Sequence, residues 1–242
     1  MADALKIRKR VPDETIVACL RNGERLIEES YDLELRTPSA TRLYLVMIAQ
    51  EELAKAFILH LIQSDIIPFT VAVRRAMNDH ICKQLVGMLM DYMIMHWEEP
   101  SELEALIRID VEADPLLPDD AGSALEILAY QRIGKREGVR EWIPGSDYHD
   151  GALKIAGGNR DREKQDALYV RVGADGRVVS TPDRFAEERT KLEFERARRF
   201  ASLVNSLLET ESPPSNKRED RRYKKIVRAL SNVFESQRKE VA

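Results

Sequence analysis

The sequence predicts a mainly α-helical fold: an up-and-down bundle of helices with a small β-hairpin and an irregular insertion. In several long segments the apolar residues recur at three- and four-residue steps, with charged residues between them. Two Thr-Pro pairs have the form of helix starts, because threonine can cap a helix and proline fits its first turn. A chain of 242 residues with 43% apolar content can bury a core without disulfides or a structural metal.

The N-terminal part of the chain supplies two predicted helices. Apolar positions three and four residues apart predict the first over residues 13–35, and Thr37-Pro38 predicts that the second starts at Pro38. From residue 43 to 62 the second helix is apolar on nearly every side and carries only a few polar side chains. This pattern is typical of a central, mostly buried helix.

A third helix and a long insertion follow. An apolar stripe predicts one continuous helix from about Phe69 to Trp97, and the stripe suits packing in a bundle or against a second subunit. An acidic segment then runs from residue 98 to 126, and a short helix is predicted over 119–133. The glycine-containing residues 134–166 show no sustained period and are predicted to be mostly loop.

The C-terminal part contains the hairpin and two more helices. Alternating apolar residues over 168–172, followed by Asp175-Gly176, predict the hairpin. Thr181-Pro182 predicts the start of a long helix that ends near Glu209, and a basic amphipathic helix is predicted within 216–242. The chain therefore divides into four units: N-terminal helices (1–97), the acidic and glycine-rich insertion (98–165), the hairpin with the long helix (166–210), and a linker with the basic helix (211–242).

Composition and absent motifs exclude several classes of function. With 38 Lys and Arg against 42 Asp and Glu, the net charge of −4 gives no overall basic field for nucleic-acid binding. The charged first residues lack the apolar core that a signal peptide needs, no apolar run is long enough to span a membrane, and only Cys19 and Cys82 carry thiols. We therefore expect a cytoplasmic protein without membrane contact. Because no GxGxxG, Walker, HExxH or GxSxG motif is present, we expect no cofactor and no metal.

His80, in the run RRAMNDH, is the main candidate for catalysis. Arg75 precedes it by five residues and Arg74 by six. A guanidinium can hold a phosphate by two hydrogen bonds, and an imidazole can move protons to or from a ribose 2′-hydroxyl, so the pair suits metal-independent cleavage of RNA. Five residues rotate a continuous helix by about 140°, so the two side chains converge only near a helix start, across a bend or in a cleft between two subunits.

Four polar residues are candidates for supporting roles: Glu51, Glu52, Asn78 and Asp79. The two glutamates lie on the most apolar helix, where a buried carboxylate needs a partner. A carboxylate on the second helix can face the third, so we expect Glu52 to orient His80 or to hold Arg75, with Asp79 as the alternative residue that orients the imidazole. Support is the role that we expect of both glutamates, rather than direct catalysis.

Four runs of the sequence carry a family resemblance: ACLRNGERLIEES, AQEELAKAFIL, NDHICKQL and DREKQDALYVRV. In this order and spacing they resemble the AbiV-type abortive-infection proteins of bacteria, which are grouped with the HEPN superfamily of α-helical domains. The resemblance covers about residues 13–95 and 160–210. It implies an HEPN-like helical bundle that dimerises, a role in defence against phage and, as in many members of the superfamily, metal-independent cleavage of RNA.

The resemblance also implies where a catalytic pair would lie. The arginine–histidine motif of the superfamily falls on Arg75 and His80, with Arg74 as the alternative arginine. Catalytic HEPN domains commonly place a polar residue directly after the arginine, whereas Ala76 stands there in this chain. A degenerate site that does not cleave RNA is therefore an open alternative.

Two functions follow from these observations, and a third alternative is that the family fold has a purely regulatory or structural role. The first is a phage-defence effector that acts as a dimeric, metal-independent endoribonuclease. The alternative is a non-catalytic binding module, in which the bundle, the acidic segment 98–126 and the basic tail 216–242 block a phage component or the host translation machinery. The expected partners are RNA, a second copy of the chain, and a phage or host protein that activates it.

Overall fold

A computed structural model describes residues 12–94, 117–133, 148–209 and 217–235, which are mostly helical. The helices in chain order are α1 (Asp13–Tyr31), α2 (Ala40–Gln63), α3 (Val71–Asn78), α4 (His80–Ile94), α5 (Asp119–Ile127), α6 (Asp150–Ala156), α7 (Asn159–Asp166), α8 (Glu187–Glu209) and α9 (Lys217–Glu235). Two short strands, β1 (Arg171–Val172) and β2 (Val178–Ser180), form an antiparallel hairpin. The predicted fold class, mainly α-helical with a small hairpin, is confirmed.

Helix α2 is the centre of the bundle. It packs against α1 and α8 along most of its length and also contacts α4. Sixteen of its side chains are buried, which agrees with the prediction of a helix that is apolar on nearly every side. The α1 backbone approaches α2 closely at Gly23, where an added Cβ would lie 2.8 Å from the side chain of Leu53. Two polar residues of α2, Gln50 and Glu51, are buried among these contacts.

The third predicted helix is divided into α3 and α4, so the prediction of one continuous helix is wrong. Asp79 has an extended backbone between them, with φ −89° and ψ 124°. Its Oδ1 accepts a hydrogen bond from the backbone N–H of Cys82 at 2.8 Å and thereby caps α4. His80 is the first residue of α4, and the predicted end of the helix beyond residue 94 lies outside the described residues.

The apolar stripe of this region packs inside the chain. Val73 and Leu85 have no exposed surface, and Tyr92 is 2% exposed. The stripe is therefore part of the core of one chain. Of the two alternatives that the sequence allows, packing in a bundle is the one found, and the stripe does not supply a surface for a second subunit.

The insertion is more helical than its composition predicts. Residues 150–156 and 159–166 form α6 and α7, so the prediction of loop is wrong for these residues. His149 caps α6 by accepting the backbone N–H of Gly151, and Gly158, with φ 74°, separates the two helices. The predicted short helix over 119–133 is found as α5 followed by a π-helical turn. Residues 95–116 and 134–147 lie outside the described residues.

Both Thr-Pro pairs stand a few residues before a helix. Helix α2 begins at Ala40 rather than Pro38. Pro182 opens a short 3₁₀ turn, and α8 begins only at Glu187. Helix α9 lies within the predicted basic segment 216–242 and packs Ile226 and Leu230 into the core. Residues 210–216, which include the predicted linker, and residues 236–242 lie outside the described residues.

Candidate functional site

The site is built around Glu51, a buried carboxylate on α2 that is 3% exposed. Its Oε1 accepts hydrogen bonds from Lys164 Nζ at 2.8 Å and from Gln84 Nε2 at 3.1 Å. Its Oε2 lies 2.5 Å from His80 Nδ1 and 3.0 Å from Lys83 Nζ. Three helices, α4, α7 and α2 itself, therefore converge on one carboxylate.

Glu51 is ionised at neutral pH. Burial on its own would raise the pKa of this carboxyl, but the charges of Lys83 and Lys164 and the hydrogen bonds from Lys164 and His80 outweigh burial and lower the pKa to about 2. A buried charge needs this number of partners, because a carboxylate without them would be strongly destabilised.

His80 combines a fixed nitrogen with an accessible one. Its side chain is 51% exposed, although Nδ1 contacts the buried Glu51. An ionised carboxylate only accepts hydrogen bonds, so Nδ1 carries the proton and donates it to Glu51, which leaves the lone pair of the neutral ring on Nε2. Among the described residues Nε2 has no hydrogen-bond partner. The imidazole is thus positioned to exchange a proton with a molecule at the surface.

Lys164 links α7 to this pair. Its ammonium contacts Glu51, lies 2.8 Å from Asp161 Oδ1 and 3.1 Å from His80 Nδ1, and its side chain is 5% exposed. Burial would lower the pKa of this amine, but hydrogen bonds to Asp161 and Glu51 and their charges raise it. Lys164 is therefore a buried cation. Its segment is predicted as loop, so no sequence pattern points to this residue.

The predicted arginines lie on α3, the helix that precedes His80 in the chain. Arg75 and Arg74 are both exposed on that helix, and Asn78 donates a hydrogen bond from Nδ2 to the carbonyl of Arg74 at 3.0 Å. The side chain of Arg75 has no hydrogen bond or ion pair within the parts of the chain that the structure describes. Because Asp79 breaks the helix between Arg75 and His80, the rotation of a continuous helix does not describe how their side chains are related.

Two predicted supporting residues have other partners. Asp79 caps α4 and lies 3.8 Å from Arg132. Glu52 accepts a hydrogen bond from Asn22 at 3.2 Å and lies 3.8 Å from Lys55. The residue that contacts His80 is Glu51, so the expectation that Glu52 or Asp79 orients the imidazole is corrected.

A second buried ionic network lies next to Glu51 on α2, α4, α7 and α8. Gln50 donates to Glu193 at 2.8 Å and accepts from Arg160 at 2.7 Å and from Arg196 at 2.8 Å. Arg160 also pairs with Glu193, and Arg196 binds Asp91 through two nitrogens. Although burial opposes it, the surrounding arginines lower the pKa of Glu193 to about 2. These residues are far apart along the chain, so no sequence motif points to them.

A small cavity separates the two networks. Its interior holds about 10 Å³, the space of about one water molecule. Ligand pockets usually measure about 300–1,000 Å³, so a nucleotide does not fit inside. The cavity is lined by Met47, Gln50, Glu51, Lys83, Gln84, Gly87, Arg160, Arg196 and Phe200. A large substrate would therefore meet this site at the exposed His80 ring rather than in the cavity.

The donor atoms around Lys164 also suit a metal ion. One ligand atom each from Glu51, His80 and Asp161 lies within 4.8 Å of the others. A nitrogen and two carboxylate oxygens are donors that zinc accepts. The Lys164 ammonium contacts all three residues and is the cation that the structure places among them.

The family comparison matches the part of the chain that builds this site. The family model HEPN_AbiV, described as AbiV, matches residues 13–202. The chain belongs to the AbiV family of HEPN proteins. The AbiV match contains Glu51, His80 and Lys164, and it ends before α9 begins. No curated protein and no solved structure matches the chain.

Within the described residues, none of the helices has the length and apolarity needed to cross a membrane.

Proposed function

We propose that this AbiV protein is a phage-defence effector that cleaves RNA without a metal ion and acts as a dimer. The observation that carries the proposal is the pair formed by His80 and Glu51. A half-exposed imidazole whose Nδ1 is fixed by a buried carboxylate has the form of a general base or acid. Membership of the AbiV family supports the defence role.

His80 would start the reaction by proton transfer. Nε2 takes the proton of the ribose 2′-hydroxyl, O2′ attacks the adjacent phosphorus, and the bond from phosphorus to O5′ breaks. The products are a 2′,3′-cyclic phosphate and a 5′-hydroxyl, and the leaving oxygen receives the proton from the imidazolium. Glu51 stabilises the imidazolium because it stays ionised next to Nδ1.

Arg75 is the proposed phosphate ligand. It is exposed on the last turns of α3, one helix break away from His80. Its guanidinium can bind two phosphate oxygens at once and offset the charge that develops during the reaction. Arg74 is the alternative on the same exposed helix. The proposed dimer rests on the family alone, since the apolar stripe is buried within one chain.

The test is cleavage of total cellular RNA by the purified full-length protein with EDTA present. We expect wild type to leave 2′,3′-cyclic phosphate ends, and His80→Ala to lose about 10²–10⁴-fold in rate, the usual contribution of positioned proton transfer. Arg75→Ala should also lose rate. His149→Ala is the matched control, because it removes another exposed histidine at a helix start.

Two outcomes contradict the proposal. One is cleavage by His80→Ala at the wild-type rate, and the other is an absence of cleavage by folded wild type. The second outcome favours the binding module. The hairpin offers a surface for such a role, since it exposes Leu168, Tyr169, Val170, Val172, Val178 and Val179.

A further inference from the structure

We propose that Glu51, His80 and Asp161 form a binding site for a transition-metal ion such as Zn²⁺, which displaces the Lys164 ammonium and switches the site off. The inference that a metal binds depends only on the geometry. The inference that the metal switches the site off also depends on the proposed ribonuclease activity, so binding and switching are tested separately.

Three separate helices bring the ligand atoms together. Glu51 is on α2, His80 begins α4 and Asp161 is on α7, and one donor atom from each lies within 4.8 Å of the others. Zn²⁺ binds nitrogen and carboxylate oxygen at about 2.0–2.2 Å, which places tetrahedral donors about 3.3–3.5 Å apart. The three side chains therefore need to move by no more than about an ångström or two, and water can complete the coordination.

A cation already lies among these atoms. Lys164 Nζ is 2.8 Å from Glu51 Oε1, 2.8 Å from Asp161 Oδ1 and 3.1 Å from His80 Nδ1. The protein thus holds one positive charge at the point where the three donors meet. Lysine reaches this point through a flexible four-carbon chain, so displacement of the ammonium requires rotation of this side chain.

The neighbouring charges set the strength of binding. Lys83 remains 3.0 Å from Glu51 Oε2 and competes weakly with a metal on the other oxygen. Lys164 competes directly, because metal and ammonium need the same donors. Removal of the Lys164 charge should therefore tighten metal binding. If Lys164 had a purely structural role, its removal would have the opposite effect on metal binding.

Metal binding would change the tautomer of His80. A metal ion on Nδ1 takes the lone pair of that nitrogen, so the proton of the neutral ring resides on Nε2. An Nε2–H cannot accept the proton of a 2′-hydroxyl. Glu51, which would stabilise the imidazolium, becomes a metal ligand in the same step. The occupied site should therefore not act as a general base.

The donor set also fixes which metals bind. One imidazole nitrogen with two carboxylates suits Zn²⁺, Co²⁺ and Ni²⁺, whereas Mg²⁺ and Ca²⁺ prefer oxygen ligands alone. We expect the first group to bind and the second not to compete.

The binding test uses Co²⁺ and the full-length protein without RNA, with visible absorption and calorimetry as readouts. Wild type should show cobalt ligand-field bands. Asp161→Asn should weaken binding by about tenfold or more, as expected when a ligand is lost. Glu163→Gln is the matched control, because it removes a carboxylate of α7 that pairs with Arg189 instead. Lys164→Ala should tighten binding by about tenfold, the effect of one nearby charge.

Equal affinities of wild type and Asp161→Asn overturn the site, as does Co²⁺ binding that Lys164→Ala does not tighten. If Lys164→Ala fails to fold, the comparison of Asp161→Asn with Glu163→Gln decides the question alone.

The switching test compares RNA cleavage in EDTA with cleavage in graded Zn²⁺. Zn²⁺ should stop wild type, and Asp161→Asn should need about tenfold more Zn²⁺ for the same inhibition. Zn²⁺ that binds without slowing cleavage overturns the switch. An absence of cleavage in EDTA overturns the ribonuclease and the switch that depends on it, while the Co²⁺ experiment still decides whether the metal site exists.

Discussion

Glu51 and Glu52 are adjacent in the sequence and have opposite environments. Glu51 is 3% exposed and contacts two lysines and a histidine, whereas the side chain of Glu52 is 20% exposed and lies 3.8 Å from Lys55. A helix turns by about 100° per residue, which explains how neighbouring carboxylates reach different surroundings. The sequence places both on the most apolar helix, but it does not show which of them is buried or which lysines come near.

This difference predicts unequal effects on stability. Glu51→Gln should lower the free energy of unfolding by about 3–5 kcal/mol, because it leaves the buried Lys83 and Lys164 without their carboxylate. Glu52→Gln should change it by less than about 1 kcal/mol. Urea unfolding at neutral pH measures both values. Equal losses in the two variants would show that the Glu51 contacts do not stabilise the fold.

Helix α9 also contacts α2, through a hydrogen bond to a partly buried histidine. His60 Nε2 lies 3.2 Å from the hydroxyl of Tyr223, and Nδ1 is buried with no hydrogen-bond partner among the described residues. Burial lowers the pKa of His60 from its usual 6.5, and Tyr223 is the titratable group that faces it. Ser231 on α9 also donates to the carbonyl of Ile66 at 3.1 Å.

Acid should therefore loosen α9. A histidine released from this contact takes up a proton below about pH 6.5, whereas the docked histidine resists it, so docking is fully stable above pH 6.5 and weakens as pH falls below that value. Hydrogen exchange of α9 amides, corrected for intrinsic rates, should show lower protection at pH 5.5 than at 7.5, with α1 as the internal reference. His60→Gln should remove the effect, and an unchanged pH dependence in that variant would contradict it.

The helices themselves show what a sequence can predict. Periodicity identifies α1, α2 and α8, because each has a long apolar face toward the core. It does not identify the break at Asp79, because the apolar spacing continues through this residue. The extended backbone of Asp79 ends α3, and its side chain caps α4. It also misses α7, a highly polar helix whose Lys164 and Asp166 are buried through ion pairs rather than apolar contact.

Across the whole molecule, two buried carboxylates make the fold sensitive to acid. Arginines and lysines hold the pKa values of Glu51 and Glu193 at about 2 against the opposing effect of burial. A carboxyl group of the unfolded chain titrates near 4.5. The stabilisation of the fold by Glu51 and Glu193 is therefore complete above pH 4.5 and is lost as pH falls from 4.5 toward 2.

This loss has an expected size. Each group should contribute about 3 kcal/mol, because one pKa unit corresponds to about 1.4 kcal/mol. Urea unfolding at a series of pH values from 6 to 2 should show the free energy falling steeply below 4.5. The fall should be shallower in Glu193→Gln than in wild type, and parallel curves for the two proteins would contradict this account.

Contacts between segments that are distant in the chain are the hardest feature to predict from the sequence. The arginine–histidine pair lies within six residues and can be found by inspection, but the partners of His80 come from α2 and α7. Such contacts follow from how the helices pack, and spacing along the chain contains no signal for them.

The order in which the site is assembled has a consequence for synthesis. His80 and Lys164 are 84 residues apart, and a ribosome that adds about 5–20 residues per second needs roughly 4–17 s to pass from one to the other. Throughout that interval the nascent chain carries the imidazole without the helix that completes its surroundings. The chain is synthesised beside ribosomal and messenger RNA, and the late synthesis of α7 postpones the completed site until most of the bundle has been translated.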